Sequence, residues 1–126
     1  KLVVTGGAGQ ITATASDGGL DFIGGKGTAT LSLGNGFGNI RFGAGNTTVV
    51  ENLSNPWRGG NLFSFAAGTG GGNDLIKGFQ VGVDHIALHG VTVTSQAIAG
   101  GSAQIVLSDH THLTLAGVGS LNGIFS

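Results

Sequence analysis

The side chains able to do chemistry in this chain are few: four histidines, six acidic residues, five basic residues and no cysteine. His85 and His89 share one strand face, as do His110 and His112, and two such pairs could gather a zinc or nickel ion. The apolar residues interleaved with them, Ile86 and Leu88, then Leu113 and Leu115, claim the inward face and turn the imidazoles outward. No carboxylate is placed to orient either pair, so the histidines read as surface residues. Asp17 and Asp21 would need partners from a distant part of the chain to make a glycosidase-type carboxylate pair. Asp109 beside His110 lacks the nucleophile elbow and oxyanion loop of a hydrolase. Gly34-Asn35-Gly36 lacks the following helix and lysine of a phosphate loop. Trp57 and Arg58, in an Asn-Pro-Trp-Arg-Gly-Gly loop, fit either contact with a glycan or protein partner or packing back on the fold. No catalytic group emerges, and the chain reads as a non-enzyme.

Composition narrows the classes further. Charged residues are 9% of the chain and the formal net charge is −1, so nothing steers it toward nucleic acid or acidic lipid. The 27 glycines come with one proline and no three-residue period, which excludes collagen. A hydrophobic content of 40%, in regular phase, argues against glycine-rich disorder. Without cysteine there is no disulfide framework, and no apolar run is long enough for a membrane span. The opening at Lys1, without methionine or a signal-peptide pattern, suggests a fragment or a processed product.

The elements that must position these residues follow a nine-residue clock. Glycine recurs at Gly9, Gly18, Gly27, Gly36 and Gly45, and four residues after each stands an apolar side chain: Ala13, Phe22, Leu31, Ile40 and Val49. A turn residue at fixed offset, followed by a short strand with one inward side chain, describes a coil that needs neighbours stacked on it. The expected fold is an all-β parallel β-roll or β-solenoid, a single domain over 1–126. Residues 1–50 hold the regular nonapeptides, 51–68 an irregular insertion, and 69–126 a β-rich terminal region. In the last zone the alternation predicts strands at Leu75–Phe79, His85–Leu88, Val91–Thr94, Gln104–Leu107 and His112–Leu115.

The repeat resembles the RTX (repeats-in-toxin) nonapeptide, Gly-Gly-x-Gly-x-Asp-x-U-x with U large and apolar. Asn73-Asp74-Leu75-Ile76-Lys77-Gly78-Phe79, followed by Gly82-Val83-Asp84-His85-Ile86-Ala87-Leu88, is similar to a passage in the terminal part of that family. Gln104–Val118 resembles the family's closing hairpin, with Asp109-His110-Thr111 where Asp-Gly-Thr is usual. The resemblance implies a calcium-binding roll, secretion through type I machinery and folding outside the cell. It also implies that the Asp of each nonapeptide binds calcium together with turn carbonyls.

This chain departs from that pattern. The Asp slot holds Ile11, Leu20, Ala29, Gly38 and Thr47; only Thr69–Lys77 keeps the carboxylate, as Asp74 beside Gly70 and Gly72. The expectation is an apolar interior in place of an ionic spine, with calcium bound weakly or at few sites, near Asp74, Gly70 and Gly72. Two functions follow. One is a secreted, surface or matrix module that stacks head to tail into a homo-oligomer or filament, because Leu2-Val3-Val4-Thr5 is an uncharged strand and the far end finishes on Ile124-Phe125. The other is the C-terminal type I secretion and folding module of a larger secreted enzyme or adhesin.

Overall fold

The computed structural model describes residues 2–15, 18–34, 36–51, 60–68 and 70–125. Among these the chain is all β, with twelve strands and no helix. Six are tetrapeptides spaced along the repeats: β1 (Leu2–Thr5), β2 (Ile11–Thr14), β3 (Leu20–Ile23), β4 (Ala29–Ser32), β5 (Gly38–Arg41) and β6 (Thr47–Val50). Then come β7 (Leu62–Ala66), β8 (Asn73–Lys77), β9 (His85–His89), β10 (Val93–Ala99), β11 (Ser102–Leu107) and β12 (His112–Ala116).

The strands alternate between two mostly parallel sheets. One has the order β1-β3-β5-β7-β9, the other β10-β11-β12-β8-β6-β4-β2. Nine residues therefore carry the chain from one sheet to the other, and eighteen return it beside its earlier strand: Leu2 faces Leu20, Leu20 faces Gly38, Ile11 faces Ala29 and Ala29 faces Thr47. Later joints are longer. Asn39 faces Leu62 and Leu62 faces His85, twenty-three residues on in each case, while Thr47 faces Asp74, twenty-seven on. Beyond β8 the second sheet gains β12 in parallel and then an antiparallel β11–β10 ribbon.

Short strands suffice because each contributes inward side chains to one continuous core between the sheets. The apolar positions of the clock are buried, with Ala13 at 8% exposure and Leu31, Ile40 and Val49 at 0%. The preceding slot on the same face is buried too at Leu20 and Ala29, as the parity of a strand requires. Burying a large aliphatic or aromatic side chain contributes about 1.5–3 kcal/mol, so each tetrapeptide strand brings little alone and depends on its neighbours. The middle of the core is aromatic. Phe42 and Phe65 stack at 4.4 Å between centroids, and Phe63 meets both Phe42 and Phe79 at about 6 Å.

The terminal zone keeps the expected strands with shifted limits. β8 begins at Asn73, because its pairing with β6 and β12 starts there. β10 runs on to Ala99, a stretch that sequence alternation misses because the strand is exposed over nearly its whole length. With no side chain required inside, Thr94–Ala99 carries no periodic signal; its pairing with β11 alone defines it. Asp109-His110-Thr111 forms the β11–β12 turn, and His110 takes φ +68°, the left-handed conformation in which glycine is unstrained. A histidine in this conformation carries some cost in strain.

At one corner glycines stack directly. A Cβ on Gly27 would overlap the Gly9 carbonyl oxygen, and one on Gly45 would overlap that of Gly27, whereas a Cβ on Gly9 meets nothing. This sets a position-specific test of one motif residue. Gly27→Ala should destabilise the protein by about 2–3 kcal/mol through overpacking, while Gly9→Ala should stay within about 0.5 kcal/mol, read from chemical denaturation of both variants.

Candidate functional site

Most of the polar groups that the fold buries sit at or just before strand starts, and the reason lies in the backbone. In the regular coils the first N–H of a strand donates to the carbonyl just before the facing strand: Ile11 to Thr28 at 2.9 Å, Ala29 to Asn46 at 2.9 Å, Leu20 to Phe37 at 3.2 Å. At three of the four longer joints a side-chain oxygen takes that N–H instead. Thr47 donates to Asp74 Oδ1 at 3.0 Å, Gly38 to Asn61 Oδ1 at 2.8 Å and Asn61 to Asp84 Oδ1 at 2.8 Å. A buried N–H left without an acceptor costs about 1–3 kcal/mol, which a short oxygen-bearing side chain at that slot prevents.

Asn61 and Asp84 therefore occupy the same slot as Asp74, a role that counting in nines conceals. Asn61 also donates from Nδ2 to Glu51 Oε1 at 2.8 Å and to Asp84 Oδ1 at 3.4 Å. Gln80 donates its N–H to Asp84 Oδ2 at 2.8 Å. Glu51, Asn61 and Asp84 are all buried, and this network closes the corner between β6 and β7. Gly38 is glycine for a local reason: a Cβ there would crowd Asn61 Oδ1 at 2.8 Å.

The Asp74 corner differs from this one in carrying unmet acceptors. Asp74 is 2% exposed; its Oδ1 is held by Thr47, while its Oδ2 is buried without a hydrogen-bond partner. Asp109 Oδ2 is likewise buried and unpartnered, and Asp109 acts electrostatically on Asp74. Asp109 Oδ1 accepts from the Thr111 hydroxyl at 2.7 Å and the Thr111 N–H at 3.1 Å, and Thr111 Oγ1 accepts from Gly71 N–H at 2.8 Å. Gly70 and Gly72 serve here by what they lack. A Cβ on Gly70 would overlap Asp109 Oδ2, and one on Gly72 would crowd the Ala44 and Gly45 carbonyls and Asn46 Oδ1. Gly72 also holds φ +74°.

Burial pushes the Asp74 carboxyl up to about 8, with the Asp109 charge adding to the rise and the Thr47 N–H opposing it. Two acidic groups that act electrostatically on each other, each with a buried oxygen lacking a hydrogen-bond partner, can be accommodated in two ways: one keeps its proton, or a cation lies beside them. Among the described residues no cluster of three or more His, Cys, Asp or Glu side chains forms, so any cation here would draw on two carboxylates, carbonyls and the Thr111 hydroxyl.

The remaining sequence candidates stay apart. His85 and His89 lie exposed on β9, in the five-stranded sheet, whereas His110 and His112 belong to the β11–β12 turn and β12. Asp17, Asn35, Trp57 and Arg58 lie outside the described residues. The sequence places Asp109 beside His110 and in the Asp109-His110-Thr111 turn but does not link it to Asp74; the two are brought together because β12 pairs with β8 across thirty-nine residues. No protein-family model matches this sequence, and no curated protein matches it.

The pH dependence follows from Asp74. An unfolded chain releases this proton near pH 3.9, the native one near 8, so between those values the native state binds more protons and loses stability as pH rises. Without divalent cations the melting temperature should fall from pH 4.5 to pH 8. Asp74→Asn, which keeps an acceptor for Thr47 and cannot ionise, should flatten that slope; an unchanged slope in the variant would assign the effect elsewhere.

Proposed function

We propose that this chain is a structural module rather than an enzyme: a parallel β-roll of the secreted, RTX-like kind, whose two sheets are opposite walls of one roll and whose β10–β12 region caps it. One observation carries the reading. Successive strands alternate between the sheets and pair eighteen residues apart, which is the path of a chain wound in coils. The similarity of Asn73–Phe79 and Gly82–Leu88 to the RTX terminal region supports the family assignment.

The same reading assigns calcium to the corner of Asp74 and Asp109, between the joint at Gly70–Gly72 and the carbonyls of Ala44 and Gly45. Calcium takes six to eight oxygens, and two carboxylates with carbonyls and a hydroxyl are of the right chemical kind. Calcium would displace the Asp74 proton, so its binding strengthens with pH. The regular coils β1–β6 present apolar or small residues in that slot and hold together without it.

An exposed edge supports an assembly role. β1 is the outermost strand of its sheet among the described residues, with Leu2 at 40% and Val3 at 65% exposure, and Val4 packs partly buried against the core beside it. Such an edge fits another coil of the same kind, and a second copy stacking head to tail would supply one. The far end favours a second reading, because the five-stranded sheet stops at β9 while the other sheet continues through β12, β11 and β10. Ends of unequal height suit a terminal cap, as in the C-terminal module of a larger secreted protein that reaches the exterior through type I machinery.

Two measurements test these roles. Hydrogen exchange at pH 8 should show calcium protecting β8 and β12 while chelator leaves β2–β6 protected; loss of protection throughout the fold in chelator would overturn the localised site. Sedimentation over a wide concentration range should show self-association that Val3→Lys suppresses. A monomer at every concentration would remove the stacking role and leave the terminal cap.

A further inference from the structure

The outer face of the five-stranded sheet carries a trough of about 500 Å³, within the usual range of small-molecule sites. Its cause is a run of small side chains on β7. Ser64 and Ala66 point outward there, because Phe63 and Phe65 between them are buried. On one side Ser64 faces Arg41 of β5, and on the other Ala66 faces His89 of β9. Two long side chains, two strands apart, thus flank a floor with little bulk, at a separation of roughly 10 Å from the spacing of strands. Leu62 and Ile23 supply apolar wall.

Polar groups in this trough are placed for a ligand of particular chemistry. Arg41 is exposed and presents a permanent cation with several donors. Asn39, one coil position from Leu62, has its Oδ1 buried and without a hydrogen-bond donor. A buried acceptor without a donor is costly, and a ligand hydroxyl or amide N–H would satisfy it. The lining therefore offers an apolar floor, a cation at the rim and an acceptor that lacks a donor.

We propose that this trough binds an amphipathic organic carboxylate that also carries a hydroxyl or amide N–H, its carboxylate on Arg41, its apolar body over Ser64 and Ala66, and its donor on Asn39 Oδ1. The site lies on the outside of the roll, away from the Asp74 corner, and does not depend on calcium or on assembly.

Amide NMR titration of the protein with 3-hydroxyoctanoate, octanoate and 1-octanol tests the assignment. Saturable shifts should centre on Arg41, Ser64 and Ala66. The hydroxy acid should bind about fivefold more tightly than octanoate, as one net hydrogen bond implies, and the alcohol should bind most weakly. Arg41→Gln should abolish the preference for acid over alcohol, and Ser64→Leu, on an outward face where it need not disturb the core, should fill the trough and remove binding of all three. Shifts that do not saturate, that centre elsewhere, or that keep their acid preference in Arg41→Gln would overturn the proposal. Unchanged amide spectra of the free variants outside the trough establish that each has folded.

Discussion

Each parallel strand pairing described in this protein must answer one question: which acceptor takes the N–H at the start of the strand. With eighteen residues per circuit, the answer is the carbonyl preceding the facing strand, and the slot after it is free to be apolar or small, as at Leu20 and Ala29. With twenty-three or twenty-seven residues that carbonyl no longer takes the bond, and an aspartate or asparagine oxygen does so at Asp74, Asn61 and Asp84. Asp74, Asn61 and Asp84 thus accompany three of the four longer circuits, whereas the fourth, from β8 to β12, carries Leu113 in that slot. The polar residues cost desolvation, and they are retained because an orphaned main-chain donor in the interior would cost a comparable amount.

That constraint also explains the division of the core. Where the slot is apolar, both inward residues of a tetrapeptide pack hydrophobically, as Leu20 and Phe22 do. Where it is polar, the next inward residue must carry the packing alone, and it is then a large one: Phe63 after Asn61, Ile76 after Asp74, Ile86 after Asp84. The cluster of Phe42, Phe63, Phe65 and Phe79 gathers beside the joints where polar groups take up interior space. Asp74 differs from Asp84 because its second oxygen is buried without a donor, whereas Asp84 Oδ2 accepts from Gln80 N–H.

Much of this was legible from residue types. The apolar phase from Ala13 to Val49 marks the inward face correctly, because a tetrapeptide strand with one fixed turn residue has little freedom of register. The outward direction of His85 and His89 follows from the same alternation. What stayed hidden involves distance along the chain. Asn61 and Asp84 fall out of a nine-residue count as soon as a joint lengthens, and Asp109 reaches Asp74 only through a strand pair thirty-nine residues apart. The Asp-x-Thr turn was the available sign, since its Thr hydroxyl and N–H both orient the carboxylate. The trough over Ser64 and Ala66 had no sign at all, because small residues inform only once their neighbours in the sheet are known.

The alternation of strands between sheets has a consequence for how such a chain can change in length. Removing nine residues from the regular part would send every later strand to the other sheet relative to the strands before the deletion, breaking the eighteen-residue pairings that span it while pairs beyond it, such as β8 with β12, move together. Removing eighteen would leave each later strand on its own wall and merely shorten the stack by one layer. Growth and loss are therefore quantised in whole circuits, except at a corner where an added loop comes with an aspartate or asparagine to receive the displaced N–H. The joints at Asn61, Asp74 and Asp84 mark where this chain has taken that second route.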